Sequence, residues 1–252
     1  MDLRSPSINR LLDIWIDEDL GRGDLTKIVL RNQIASAYWY SKQNGVFCGG
    51  EIVSRIFTRI DPTTQVNLLV NDGEKFEKGQ RLIELSGATQ SLVTGERISL
   101  NIAMHLSGIA TKTSELVQLL QGSNILLADT RKTTPGIRLF EKYAIRCGGG
   151  INHRMGLDDA AMLKENHIAW SEGITASINK LRNCIPWTTK VIVEAETAAE
   201  AEEAVKAGVD GVLLDEMSPE ELKTLVPRLR SLALEQSSNG KPNDLIIELS
   251  GI

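Results

Sequence analysis

The chain has 252 residues, 42% of them apolar, and a formal net charge of −5, which suffices for one large domain or two of unequal size. Its three cysteines, Cys48, Cys147 and Cys184, are odd in number and widely spaced; neither a disulfide framework nor a zinc knuckle fits them, and a reducing cytoplasm is expected. No apolar run approaches the ~20 residues of a membrane span, the polar opening MDLRSPSINR is no secretory signal, and mild acidity gives no general affinity for nucleic acid.

In chain order, residues 7 to 20 place Leu11, Leu12, Ile14, Trp15 and Ile16 on one broad apolar face, predicting a helix that GRGD then ends. From Ile34 to about Ser86 the pattern changes to short β-like pieces, SAYWYSK, GVFCGGEIV and TQVNLLVNDGEKFEKGQRLIELSG, punctuated by NG, GG, DG and KG turns. DGEKFEKGQ reads as a structural hairpin, since its turn carries no carrier-type lysine tip. Residues 95 to 120 return to helical periodicity, with Ser107 and Gly108 as a candidate interruption.

From residue 124 onward five apolar runs each end in a charged residue: ILLA before Asp129, AAML before Lys164, VIV before Glu194, VLL before Asp215 and LII before Glu248. Amphipathic segments such as AAEAEEAVKAG lie between most of them, and one further strand is expected near Cys147 to His153. This alternation predicts an α/β architecture with a parallel sheet curled into a barrel, whose chemistry sits at the C-terminal strand ends. Charged residues also mark places where strands simply meet solvent, but five of mixed sign favour a site.

The segment DTRKTTPGIRLFEKYAIRCGGGINHRMGLDD concentrates cations in an acidic chain. Thr134 before Pro135 fits a helix N-cap and first turn, which leaves Arg131 and Lys132 in the preceding loop. GGG at 148 to 150 permits positive φ or close approach to a ligand, directly before His153 and Arg154. Arg131, Lys132, Arg154 and Lys164 suit a ligand with several negative charges, the arginine fork for carboxylate or phosphate and lysine as a compact charge. Arg138, Lys142 and Arg146, four apart, read as a solvated or ion-paired helix surface. Glu194 and Asp215 facing a phosphate-rich ligand call for a divalent metal, and Mg²⁺ is the common solution. No phosphate loop of the GxxxxGK[ST] type and no Gly-rich dinucleotide fingerprint is present. His167 and Cys147 are expected to be structural, one a hydrogen-bonding neighbour of Lys164 and the other a small buried hydrophobe. His105 is expected at a surface or interface.

DTRKTTPGIRLFEKYAIRCGGGINHRMGL followed by LKENHI closely resembles the quinolinate phosphoribosyltransferase family, also called nicotinate-nucleotide pyrophosphorylase (carboxylating). The resemblance continues in EDLGRGDLT, DGEKFEKGQ, GERISLN, SGIAT and AGVDGVLLDEMSPEE, covering nearly the whole chain. It implies an N-terminal α/β sandwich over 1–110 and an open, TIM-like α/β barrel over 111–252. It also implies a homodimer that joins quinolinate to 5-phosphoribosyl 1-diphosphate, needs Mg²⁺, and releases pyrophosphate and CO₂. Matched position by position, Arg131, His153, Arg154 and Lys164 surround quinolinate and the reaction centre, and Arg97 enters from the partner subunit. Lys132, Glu194 and Asp215 match groups around 5-phosphoribosyl 1-diphosphate and its metal, directly or through water. Thr130, Ser250 and Gly251 complete the substrate-binding set, with Lys164, Glu194 and Asp215 as catalytic residues; Lys164 or His153 holds the departing carboxylate or supplies the replacing proton.

Three departures accompany the resemblance. Ile98 and Met104 stand where GERTxLNxxQ has threonine and glutamine, and Ile192 stands where EVEV has its first acid. VEAET leans toward a molybdenum-transport-associated branch, but TRKTTPG, in place of TRKHFPG, favours the pyrophosphorylase. The chain stops at ELSGI, where the family continues through SGGI, a helix and a final strand with a GxLTHS-like loop; the barrel is expected to lack that last strand and helix. A catalytically impaired paralogue acting as a binding or dimerisation module is the alternative.

Overall fold

In the computed structural model, residues 5–31, 33–236 and 244–251 are described; Met1 to Arg4 of the polar opening and the terminal Ile252 lie outside them. The chain divides into two compact units, Met1–His153 and Arg154–Ile252. No described helix is long and apolar enough to cross a membrane.

The first unit opens with α1 (Pro6–Leu20), begun by Pro6 after the Ser5 cap and ended at Gly21, and its Ile8 and Leu12 are fully buried. β1 (Ile34–Tyr40) and β2 (Gly45–Val46) follow. GVFCGGEIV then departs from its strand-like expectation, because α2 (Gly50–Ile60) begins inside it. Ile52, Val53, Ile56 and Phe57 repeat with helical spacing and are all buried. Asp72 accepts the Gly49 and Gly50 N–H groups at 2.9 and 2.8 Å, satisfying donors that a helix start leaves open. β3 (Gln65–Leu68), β4 (Lys75–Phe76) and β5 (Arg81–Ala88) complete an antiparallel sheet of order β1-β5-β3, beside the short β2-β4 pair. In the β1–β5 pairing Ile34 faces Ala88 and Tyr38 faces Glu84. The inner face of this sheet packs Ile83 and Leu85 with Phe47, Val53 and Phe57, giving the sheet-and-helix sandwich.

α3 (Thr89–Leu119) runs 31 residues without a break at Ser107 and Gly108. Ser107 points inward and accepts the Cys48 N–H at 3.0 Å, so this polar residue serves packing rather than a turn. α4 (Arg138–Cys147) begins later than Thr134-Pro135 suggests, since Gly136 has φ +86° and residues 135–137 form a turn. The expected strands at 124–128 and 147–153 reduce to one parallel bridge, Ala128 with Ile151, carried by two backbone bonds of 2.8 and 3.1 Å.

The second unit is built from β6 (Ala161–Leu163), α5 (Glu165–Ala169), α6 (Ile174–Cys184), β7 (Val191–Ala195), α7 (Ala198–Lys206), β8 (Gly211–Asp215), α8 (Pro219–Glu235) and β9 (Ile246–Ser250). The strands are parallel in the order β6-β7-β8-β9. Sequential neighbours without a reversal are the order of a barrel wall rather than of a doubly wound sheet. Leu163, Val191, Val193, Ala195, Val212 and Leu214 pack with Ile178, Ala204, Leu225 and Leu229 of the covering helices.

Candidate active site

The cationic loop of the first unit is organised around a buried ion pair. Lys142 donates to Asp129, with their side chains 1% and 5% exposed; Lys142 is therefore ion-paired, one of the two states its spacing suggests, but buried rather than on the helix surface. The same ammonium donates to the His153 carbonyl at 3.0 Å, and Asp129 accepts the His153 N–H at 2.9 Å and the Asn152 amide at 2.6 Å. Lysine and aspartate thus grip the backbone of His153 from both of its polar groups. Arg146 is exposed, whereas Arg138 donates from Nε to Thr133 at 2.9 Å and steadies the loop.

Glu141 ties this loop to α3. Its carboxylate accepts the Thr134 N–H and pairs with His105 Nε2, both at 2.9 Å. Burial pushes this carboxyl up, but the bonds from Thr134 and His105 outweigh it and hold the group below the usual carboxylate range. Gly148 fits under α3, where a Cβ would meet the Ala110 carbonyl oxygen at 2.4 Å. The triple glycine thus serves close helix packing as well as the positive φ of Gly149.

Among the predicted ligands here, Thr130 accepts the Lys132 N–H at 3.0 Å and Lys132 is exposed. Arg131 is half-buried, and its Nη1 is enclosed without a hydrogen-bond acceptor. Arg97 is exposed on α3.

In the second unit, strand register decides which side chains share a face. Met162 pairs with Ile192, Ile192 with Gly211, Glu194 with Leu213, Leu213 with Glu248 and Asp215 with Ser250. Alternation then puts Lys164, Glu194, Asp215, Glu248 and Ser250 on the face opposite the helix-packed one, toward the C-terminal strand ends. Lys164 Nζ lies 2.5 Å from Glu194, whose side chain is 11% exposed. Asp215 is half-buried, and Glu216 after it has φ 52°, the positive φ of a non-glycine residue among those described. The Glu216 N–H donates to the Ser250 carbonyl at 3.1 Å, and Gly251, φ +71°, backs onto Glu216. Such backbone is costly and tends to occur where a site needs it. Arg154 Nη1 donates to the Ala160 carbonyl at 2.8 Å. His167 Nδ1 accepts the Lys164 N–H at 3.1 Å, the structural role expected of it.

Glu194 and Asp215 offer hard oxygens on adjacent strands, the donor chemistry that suits Mg²⁺. Glu194 already has a countercharge in Lys164, so Asp215 is the better placed of the two for direct ligation. Glu248, one of the five strand-end charges marked in the sequence but given no ligand role there, shares their face.

The sequence matches the family models described as quinolinate phosphoribosyl transferase, N-terminal domain, over residues 24–107, and C-terminal domain, over 109–251. It is 39% identical over 237 residues to a probable nicotinate-nucleotide pyrophosphorylase (carboxylating) of Synechocystis, covering 92% of this chain and 80% of that protein. With the probable enzyme of the same name from Bacillus subtilis it shares 40% identity over 217 residues, covering 86% and 75%. The crystal structure of NadC from Streptococcus pyogenes superposes with a TM-score of 0.88 at 35% identity, over 98% of this chain and 92% of that one. The nicotinate-nucleotide pyrophosphorylase from Francisella tularensis gives 0.88 at 32% identity over the same shares.

Proposed function

Because the chain belongs to the quinolinate phosphoribosyltransferase family, we propose how its own residues carry out that family's reaction. The enzyme transfers the phosphoribosyl group of 5-phosphoribosyl 1-diphosphate to quinolinate with decarboxylation, giving nicotinate mononucleotide, pyrophosphate and CO₂ in NAD biosynthesis. The alternative of an inactive binding module is not favoured.

Arg131, His153 and Arg154 hold the two carboxylates of quinolinate, with Arg97 reaching them from the partner subunit of a homodimer. The exposed Val93 and Met104, four residues before and seven after Arg97, lie on the same stripe of α3 and support an interface there. Lys132 and Thr130 face the anionic sugar phosphate, and Ser250 and Gly251 offer it backbone and hydroxyl groups. Glu194 and Asp215 hold Mg²⁺, which when bound neutralises charge on the pyrophosphate.

The pyridine nitrogen forms its bond to the anomeric carbon as the carbon–oxygen bond to pyrophosphate breaks, and fixed ligand positions supply most of the acceleration. The quaternised nitrogen next draws the electron pair of the breaking carbon–carboxylate bond, and CO₂ leaves. The Lys164 ammonium, aligned by Glu194, sits at the departing carboxylate and delivers the replacing proton.

The observation that carries this reading is Arg131 Nη1, a buried charged donor that lacks an acceptor. An unmet buried donor costs about 1–3 kcal/mol, more when charged, a cost that a ligand carboxylate offsets. The test is to incubate the purified chain with quinolinate, 5-phosphoribosyl 1-diphosphate and Mg²⁺ and to assay nicotinate mononucleotide. Product is expected from the wild type and none from a folded Lys164→Ala variant; wild-type turnover by that variant removes Lys164 from the chemistry.

A further inference from the structure

Cys48, Asp72 and Cys147 stand far apart in sequence, yet the two Sγ atoms and a carboxylate oxygen lie within 4.8 Å of one another in the first unit. Widely spaced cysteines gave no metal motif in the sequence; the fold assembles one. Each residue comes from a fixed piece of backbone. Cys48 precedes α2 and is fully buried, with its N–H donating to Ser107 and its carbonyl accepting from the same hydroxyl at 3.0 and 3.2 Å. Asp72 sits in the β3–β4 turn, where the Gly73 N–H donates to the Phe47 carbonyl at 2.8 Å. Cys147 ends α4, one helical turn after Tyr143, so both side chains project from one helix face.

The charge balance of this cluster is incomplete. Asp72 accepts from the Gly49 and Gly50 N–H groups and from the Tyr143 hydroxyl at 2.9 Å, all neutral donors, and no Lys, Arg or His pairs with it among the described residues. A half-buried carboxylate beside two sulfurs therefore lacks a cation, which a metal ion would supply. The existing hydrogen bonds orient that carboxylate as an outer shell orients a ligand.

We propose that Cys48, Asp72 and Cys147 form a binding site for a thiophilic divalent cation of the zinc type, with a solvent molecule completing four-coordination. Two thiolates and one carboxylate suit zinc and disfavour Mg²⁺, so this site is separate from the one that serves the transferase reaction. Bound metal would tie the start of α2, the β3–β4 turn and the end of α4 together, and both thiols would release their protons on binding.

The probe is Co²⁺ added to chelator-treated, fully reduced protein. One equivalent is expected to produce sulfur-to-metal charge-transfer absorption, Zn²⁺ to displace it, and Mg²⁺ to leave it unchanged. Cys147→Ser and Asp72→Asn are expected to lose the absorption, and Cys184→Ser, in the other unit, to keep it. Should Cys147→Ser fail to fold, mapping iodoacetamide adducts on the wild type gives an independent reading: Zn²⁺ should shield Cys147 and leave Cys184 reactive. Absence of charge transfer, its persistence in a folded Cys147→Ser, or unchanged Cys147 alkylation with Zn²⁺ overturns the proposal. So does isolation of the reduced-handled protein with Cys48 and Cys147 joined as a disulfide. None of these readouts uses turnover, so their failure leaves the transferase reading untouched.

Discussion

Removing the Lys142 ammonium leaves the Asp129 carboxylate in an interior with side-chain exposure near 5% and only neutral donors, His153 N–H and Asn152, to hold it. Breaking a buried ion pair from one side costs about 3–5 kcal/mol. Lys142→Ala is therefore expected to lose about that much in chemical denaturation; a loss under about 1 kcal/mol, the level of a surface pair, rejects the buried-pair assignment. Arg131→Lys tests a different property, since lysine keeps the charge but not the planar fork. Its KM for quinolinate should rise while the unfolding midpoint stays, and an unchanged KM would remove Arg131 from the carboxylate site. The residue types at this locus were legible because arginine, lysine and histidine rarely crowd a loop in an acidic chain without an anion to meet. The role of Lys142 was not legible: spacing of four relates it to Arg138 and Arg146, whereas its environment is set by Asp129, thirteen residues away. For the same reason spacing did not show that Cys48 and Cys147 meet beside Asp72.

At the scale of elements, Asp210 joins α6, β7 and the turn into β8. It accepts the Val191 N–H at 2.8 Å, Arg182 at 2.6 Å and Lys190 at 3.1 Å. Burial raises its carboxyl, but these donors together hold it below the ordinary range. A carboxyl depressed in the folded state stabilises fully above its unfolded value of about 3.9 and loses that contribution as pH falls through the folded value. Asp210→Asn should thus be less stable than wild type at neutral pH, and the gap should shrink as pH drops below about 4. A gap that stays constant across that acid limb in urea melts argues against the linkage. Most strands and helices here were legible because alternation and 3.6-residue periodicity are local patterns, and the Ser218–Glu221 capping box of α8 is likewise local. α2 escaped because GG reads as a turn, and its start depends on Asp72, which arrives from more than twenty residues later. The weak pairing at Ala128 and Ile151 shows the converse: an apolar run needs a partner ladder, and Ile151 supplies only two bonds, one to Leu127 and one from Asp129.

For the molecule as a whole, the charged residue after each apolar run was the informative pattern, because parallel strands in sequential order deliver their C-terminal ends to one edge. Lys164, Glu194 and Asp215 share a face for that reason alone, and Glu248 joins them by the same register. No such argument reaches Arg97, which is exposed on a helix of the other unit. Its proposed role depends on a second copy of the chain, and that dependence makes it separable from every residue that acts within its own subunit. Arg97→Ala and Lys164→Ala homodimers should each be inactive. In a dimer of one variant chain with the other, both lesions fall on the same one of the two sites, and the remaining site has an intact Arg97 and an intact Lys164. Random reassociation of equal amounts makes half the dimers mixed, so recovery should approach about a quarter of wild-type activity. Recovery in the refolded mixture, absent when the chains are mixed without dissociation, is the expected result. If Arg97 acted on its own subunit's substrate, one site would carry both lesions' absence only where a chain was wild type, and since no chain is, the mixture would stay inactive at every ratio.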